Sequence, residues 1–484
     1  ARHLGGSAGV SAPVRGAAPT PVPIATPAPP APPAPPDQGR ARALARTLGF
    51  TDLVLIVVGT VIGSGIFLVP STVLTQTGGS LSTALLVWLV AGVLSLLGAL
   101  TFAELGAMKP EAGGLYAYIR DAFGPLAAFV YGWTTFFVMG PGSVATLAVA
   151  FSAYLNEFVP LGAVAAKLVA VGMILVVGAV NVRATRAGAG VQNWSTALKA
   201  LAIVGMSLGL LVASGGTAPP VELAAPGAAP GGVPVAGLGV AMIAVLWAYE
   251  GWQYVTFSAG ETRDPQRTFP RAIAVGTAAI VAIYLLANVA YVAALGVDGV
   301  RASSRVAADA VAARFGPAAA KGIAAVILVS MFSAANGITL TAPRLFFAMA
   351  RDGVFFRRLG EVHPRFGTPA LAVAAGTGWA ALLAASGTFE QLLTAVVFMG
   401  WIFFGLGALS VFVYRRRDPG AVRPFRVPGY PVTPALVVLA SAGIVLDALR
   451  AQPLRGVAGL AVMAVGVPAY LVWRRRLAAA VRAP

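Results

Sequence analysis

The chain of 484 residues contains no cysteine and only two histidines. Without thiols it can form no disulfide, thiolate metal site or cysteine nucleophile. His3 lies in a predicted tail and His363 in a predicted loop, so a His-rich metal centre or a Ser/His/Asp triad within the apolar part is excluded. Charge is also scarce. Asp, Glu, Lys and Arg make up 11% of the residues, whereas soluble domains carry about 25%. None of the four lysines (Lys109, Lys167, Lys199 and Lys321) follows a glycine. That rules out the GxxxxGK[ST] phosphate loop of an ATP-driven pump.

What fills the chain instead is apolar sequence, 58% of all residues. Apolar runs fall at about 50–74, 81–107, 124–155, 162–182, 193–213, 236–258, 271–295, 319–350, 369–386, 390–414, 432–449 and 456–473. Each run is continuous rather than alternating, which excludes the strands of a β-barrel. In lipid the backbone groups of each segment must pair within that segment, so each run is predicted to be a helix. The expected fold is an all-α membrane protein with about 12 transmembrane helices. Before them, residues 1–41 carry Pro/Ala runs such as ATPAPPAPPAPPDQGR and no apolar periodicity. They read as a disordered cytoplasmic tail rather than a signal peptide. A second short tail is expected at 477–484.

The 34 basic residues outnumber the 17 acidic ones, giving a net charge of +17. In a soluble protein such an excess would suggest nucleic acid. Here it collects in alternate loops, and no nucleic-acid partner is expected. With the N-terminus inside, about 25 Lys/Arg residues fall in inner loops and tails and about six in outer loops. That bias predicts both termini in the cytoplasm, hence an even number of spans.

Two spans are interrupted. Span 1 reads DLVLIVVGTVIGSGIFLVPSTVL, with Gly63, Ser64 and Gly65 at its middle. Two flexible residues around a hydroxyl allow the helix to unwind, although small residues also pack helices closely. Span 6 carries Glu250 and Gly251 about 13 residues into its apolar run. A carboxylate at that depth is costly, which makes it a functional candidate. Spans 1 and 6 hold matching places if the core is two five-helix repeats, and they enter from opposite sides. Interrupted helices so placed point to a carrier with a site near the bilayer midplane. Where span 1 restarts, the N–H groups of Ser64, Gly65 and Ile66 suit a carboxylate. Where span 6 stops, the carbonyls of Trp247, Ala248 and Tyr249 suit an ammonium group. The two together fit a zwitterion, of which an α-amino acid is the obvious small example.

With these features the chain resembles the amino acid–polyamine–organocation superfamily and, within it, the L-type amino-acid transporter family. The resemblance covers roughly 42–476 and rests on VIGSGIF (61–67), FAELGAMKPEAGGLYAYIRDAFGP (102–125), VQNWSTALKALAIVG (191–205) and AYEGWQYVTFSAGETRDPQRTFPRAI (248–273). Further along, PRLFFAMARDG (343–353), VHPRFGTP (362–369) and RRRDPGAVRPFRVPGYPVTP (415–434) follow in the family's order. It implies a leucine-transporter-like fold of two inverted five-helix repeats, about 50–213 and 236–414, with broken helices 1 and 6. Two extra helices follow at about 432–473. It also implies secondary transport of L-amino acids, sodium-independent exchange of neutral ones, and no cofactor or metal.

By the same resemblance, Ile62, Gly63, Ser64 and Gly65 bind the substrate carboxylate and part of its amino group. Trp247, Ala248 and Tyr249 complete the amino site and its lid, Trp247 standing where the family often has phenylalanine. Lys199 replaces a bound sodium ion and ties span 5 to span 1, unless it only snorkels to the interface. Ser333 and Asn336 of span 8 fall where members line the ion or substrate site, or else bond neighbouring helices. Glu250 admits three readings: a counter-charge for cationic substrates, a proton carrier, or a cap on the broken helix. Family members that pair with a single-span glycoprotein do so through a cysteine, so no disulfide-linked heavy subunit is possible. The alternatives are a proton-coupled cationic amino-acid or polyamine carrier and a non-transporting amino-acid sensor.

Overall fold

The computed structural model describes residue 9 and residues 46–482, apart from 112, 157, 184, 216–234 and 452. The expected tail at 1–41 and the Pro/Gly-rich loop between spans 5 and 6 therefore lie outside the described residues. The described residues are helical, and their only β pairing is an isolated bridge between Leu48 and Thr262. Among the described residues, nine helices are long and apolar enough to cross a membrane. A tenth crossing is the pair Phe50–Val61 and Gly65–Gln76, bent by 47° across its break. Of the twelve expected spans, the remaining two are shorter helices, Val235–Ala248 and Ala370–Ser386. At 14 and 17 residues they fall short of the roughly 20 that a straight crossing takes. The last helix, Pro453–Arg482, runs through most of the stretch expected as a C-terminal tail.

Span 1 breaks where its glycines predict. Val61 ends the first helix, Ile62 turns to ψ 91°, and Gly65 starts the second. Span 6 ends its α-helix at Ala248 and resumes after three residues as a 3-10 helix, Trp252–Glu261. Gly251 at the turn has φ 132°, a conformation that residues with a Cβ rarely adopt. Span 3, Pro125–Leu155, is irregular for a different reason. Its five residues Thr135–Met139 form a π-helical turn just ahead of Pro141. Proline has no N–H for the carbonyl of Phe137, and the indole Nε1 of Trp379 in span 9 donates to that carbonyl instead, at 2.8 Å. Among the described residues, two α-helices, Leu115–Phe123 and Val306–Phe315, and a 3-10 turn, Arg357–Gly360, lie outside the twelve apolar runs.

The first half of span 1 packs among spans 5, 7 and 8, and its second half lies against span 6 and span 7. The two breaks thereby meet inside the bundle. At one end of the bundle, the main chain of Thr47 and Leu48 donates to the Glu261 carbonyl, and the Glu261 carboxylate forms a buried ion pair with Arg344 at 2.6 Å. Glu104 of span 2 holds a second buried knot. It accepts both nitrogens of Arg415 at 2.9 and 2.7 Å and the Val427 N–H at 2.7 Å.

Candidate functional site

The two breaks approach so closely that neither tolerates a side chain at the contact. A Cβ on Gly65 would sit 2.5 Å from the Cα of Ala248, and one on Gly251 would sit 2.6 Å from the Thr60 carbonyl oxygen. Thr60 Oγ1 also donates to the Gly251 carbonyl at 3.0 Å, joining the breaks directly. Between them lies a cavity of about 20 Å³ lined by Thr60, Gly63, Ser64, Trp247 and Glu250, with Ser143, Leu147 and Ile338 from spans 3 and 8. That is room for about one water, so a larger occupant requires the helices around it to move.

Of the predicted anion-side groups, the N–H groups of Ser64, Gly65 and Ile66 face no main-chain acceptor, as expected at a helix start. The Ser64 hydroxyl is buried and has no hydrogen-bond partner. Gly63 lies against Leu147, whose Cδ2 is 2.8 Å from the position a Cβ would take. Ile62 differs from its neighbours, because its carbonyl already accepts Lys199 Nζ at 2.5 Å and Ser330 Oγ at 3.1 Å.

On the opposite side the expected carbonyls are not equivalent. That of Trp247 accepts the Glu250 N–H at 3.0 Å, while those of Ala248 and Tyr249 accept no main-chain donor. Trp247 lines the cavity. The Tyr249 ring turns away from it, packing edge-on to Trp88 at 5.8 Å and against Tyr284 at 5.2 Å. Only the main chain of Tyr249 is therefore available to a ligand, and a lid role for its ring is not what the geometry offers. Glu250 lines the cavity and accepts from Gln253 Nε2 at 2.5 Å. The break's own N–H, on Gly251, goes to Gln253 Oε1 at 3.1 Å. Gln253 is thus the cap, and Glu250 acts on the turn through it.

Lys199 is fully buried at the middle of the helix Thr185–Ala213, about 21 Å from either end by rise alone. Its ammonium group donates to the carbonyls of Gly59 at 2.7 Å, Ile62 at 2.5 Å and Ser330 at 3.4 Å. All three acceptors are neutral main-chain oxygens from spans 1 and 8, the kind of ligand set that otherwise holds an alkali cation. Snorkelling is excluded by this arrangement. Ser333 and Asn336 face another way. Ser333 accepts from Ser195 at 2.9 Å; Asn336 accepts from Asn181 at 2.8 Å and donates to Gln192 at 3.1 Å. These bonds tie span 8 to spans 4 and 5, and none of them reaches Lys199 or Glu250.

Several residues at the breaks escaped the sequence reading. Tyr284 of span 7 donates to the Val61 carbonyl at 3.2 Å, and Ser330 holds Ile62. Gln192 wedges its amide between Gly59 and Gly337, each of which would clash with it if it carried a Cβ. A helical offset of three from Glu250 was a usable signal for Gln253. Leu147 and Ile338 carry none, since apolar residues in an apolar span look alike.

Two facing helix breaks, buried in a bundle of membrane-length apolar helices, define a multi-pass membrane transporter. The chain belongs to the amino acid permease family, whose pattern matches residues 48–466. It is 30% identical over 439 residues to the serine/threonine exchanger SteT of Bacillus subtilis (strain 168), covering 90% of this chain and 98% of that protein. It is 33% identical over 424 residues to the human b(0,+)-type amino acid transporter 1, covering 86% and 85%. The human cystine/glutamate transporter is 32% identical over 434 residues, covering 87% and 85%.

Proposed function

We propose that the chain is a sodium-independent exchanger of L-amino acids, working by alternating access in the cytoplasmic membrane with both termini inside. Residues 42–476 form the transporting unit, built from the inverted repeats 50–213 and 236–414 and the added helices 432–473. The N–H groups of Ser64, Gly65 and Ile66, with the Ser64 hydroxyl, take the substrate carboxylate. The carbonyls of Ala248 and Tyr249 take its ammonium group, and Trp247 closes over it. The names of the relatives, which include two exchangers or transporters of neutral and acidic amino acids, support the substrate class.

The observation that carries the reading is the Lys199 ammonium group, held by the carbonyls of Gly59, Ile62 and Ser330. A fixed cation there stabilises the unwound segment of span 1 and leaves no place for a bound sodium ion among those oxygens. Ser333 and Asn336 then serve coupling indirectly, by fixing span 8 against spans 4 and 5. The test is tracer exchange in proteoliposomes loaded with unlabelled amino acids, with sodium present and omitted. Equal exchange in both supports the reading, and loss of exchange without sodium defeats it. Binding without flux under either condition would identify an amino-acid sensor instead.

One observation favours a second reading. Glu250 faces the cavity with Gln253 as its hydrogen-bond donor and no basic side chain paired to it among the described residues. A cationic amino acid or polyamine would supply the missing charge, with or without a coupled proton. A panel including lysine and arginine, repeated with Glu250→Gln, separates the two. Selective loss of the cationic substrates would favour it; an unchanged panel would not.

A further inference from the structure

Away from the helix breaks, an apolar cleft of about 360 Å³ lies between the first half of span 12 and spans 3, 9, 10 and 11. The second half of span 12 is tightly seated. Tyr470 and Trp473 pack on Phe129 of span 3 at 5.4 and 6.0 Å, and Trp133 Nε1 donates to the Val462 carbonyl at 3.1 Å. Beyond Val462, towards Pro453, the helix stands off from span 3 and the cleft opens.

Its floor is Phe137 and Val462, and its walls are Leu392, Phe398 and Met399 of span 10 facing Ala458 of span 12. Polar side chains occur mainly at the mouth, where Gln391 begins span 10 and Arg455 begins span 12. From Gln391 to Phe398, seven residues of helix descend about 10 Å, most of the roughly 15 Å depth of one leaflet's hydrocarbon. Span 12 is the least buried of the candidate membrane spans, with 22% of its apolar window inside the protein. Lipid therefore flanks the cleft along its length.

Water does not fill an apolar space of this size, because it finds too few hydrogen-bond partners there. A hydrocarbon chain does fill it, and the cleft has the length and the apolar walls for one. A guanidinium group at the mouth, at the level of the headgroups, complements a phosphodiester. We propose that this cleft is a binding site for one acyl chain of an anionic phospholipid in the leaflet at the Gln391 and Arg455 end, its phosphate meeting Arg455. The site bears on span 3 at a sensitive place. Phe137 and Val138 belong to the π-helical turn, Gly142 also lines the cleft, and the next residue, Ser143, lines the cavity between the helix breaks.

The test reads lipid directly and does not depend on what is transported. Wild-type protein is reconstituted with phosphatidylglycerol carrying a diazirine on one acyl chain, irradiated, and the labelled residues are mapped by mass spectrometry. Labels concentrated on 391–399 and 455–462 support the site, and labels spread evenly over the lipid-facing helices overturn it. Ala395→Phe and Ala458→Phe then fill the cleft from its two walls, on half-buried and exposed positions that the core does not need. Each is expected to lower labelling there at least about tenfold, since a phenyl ring displaces several methylenes. Unchanged labelling in either folded variant overturns the proposal. Arg455→Gln is expected to narrow the preference for phosphatidylglycerol over phosphatidylcholine while sparing the chain's seat, and an unchanged preference would remove the phosphate from the proposal.

Discussion

The two helix breaks do the same thing to the backbone and are held in different ways. The break in span 1 is held from outside: Lys199 from span 5, Tyr284 from span 7 and Ser330 from span 8 all donate to its carbonyls. The break in span 6 is held largely from within, by Gly251 at φ 132° and by the Gln253 amide that joins the Gly251 N–H to Glu250. Thr60 Oγ1 adds a bond from span 1 to the Gly251 carbonyl. An unwound segment stabilised by its neighbours changes when they move, whereas a locally encoded turn travels as a unit. Span 6 can therefore carry its half of the site unchanged through a conformational cycle, while span 1 is the half that registers the positions of spans 5, 7 and 8.

Substitutions that should break this contrast most severely lie where the two halves touch. Gly65→Ala places a methyl 2.5 Å from the Ala248 Cα, so the backbones must part. Exchange in proteoliposomes is expected to fall to background while the protein still folds in detergent. Retained exchange would show that the breaks need not be in contact. Next is Lys199→Ala, which strands the buried carbonyl of Gly59 and leaves that of Ile62 with Ser330 alone. An unpaired buried group costs about 1–3 kcal/mol, so exchange should drop roughly tenfold. Amide hydrogen exchange should rise over 59–67 and stay as it was over 247–255. Equal deprotection of both segments would contradict the distinction between them.

Gln253→Ala probes the other half. It removes the cap of the span 6 turn and a donor to Glu250, and it is expected to raise hydrogen exchange over 247–255 alone. The smallest effects belong to the single hydroxyls. Tyr284→Phe keeps the ring against Trp88 and Tyr249 but loses the bond to Val61, and Ser330→Ala loses that to Ile62. At about 0.5–1.5 kcal/mol for one hydrogen bond, each should weaken apparent substrate affinity by roughly two- to tenfold. The double variant should lose more than the sum if both hydroxyls hold one segment, and strict additivity would argue that they act apart.

Much of this was legible in the sequence for plain reasons. Continuous apolar runs leave the backbone no alternative to helices, and a Gly-Ser-Gly triplet or a Glu-Gly pair inside such a run has few structural uses. Boundaries of the long spans followed from composition. The span count was less legible, since Val235–Ala248 ends ten residues before its apolar run does, and Ala370–Ser386 matches a run that is itself short of a straight crossing. In span 6 the cause is the non-helical stretch Tyr249–Gly251, after which the run continues as a 3-10 helix. Direction was the hardest thing to read. Nothing in the sequence says that the Tyr249 ring faces Trp88 while Trp247, two residues earlier, faces the cavity. Helical geometry separates positions two apart by most of a half turn, but the break upsets that count. The π-helical turn of span 3 had a visible cause in Pro141, yet its partner, Trp379, sits 242 residues away in sequence.

The central claim is that opposed helix ends read both charges of one small molecule. It is tested most directly by competing a labelled L-amino acid in sodium-free exchange with its decarboxylated amine and its deaminated acid, which keep the side chain and lose one charge each. The unlabelled amino acid should compete fully and both single-charge analogues weakly, by a factor of at least roughly a hundred, because each leaves one helix end unpaired. Competition by either analogue as strong as that of the amino acid itself would contradict it.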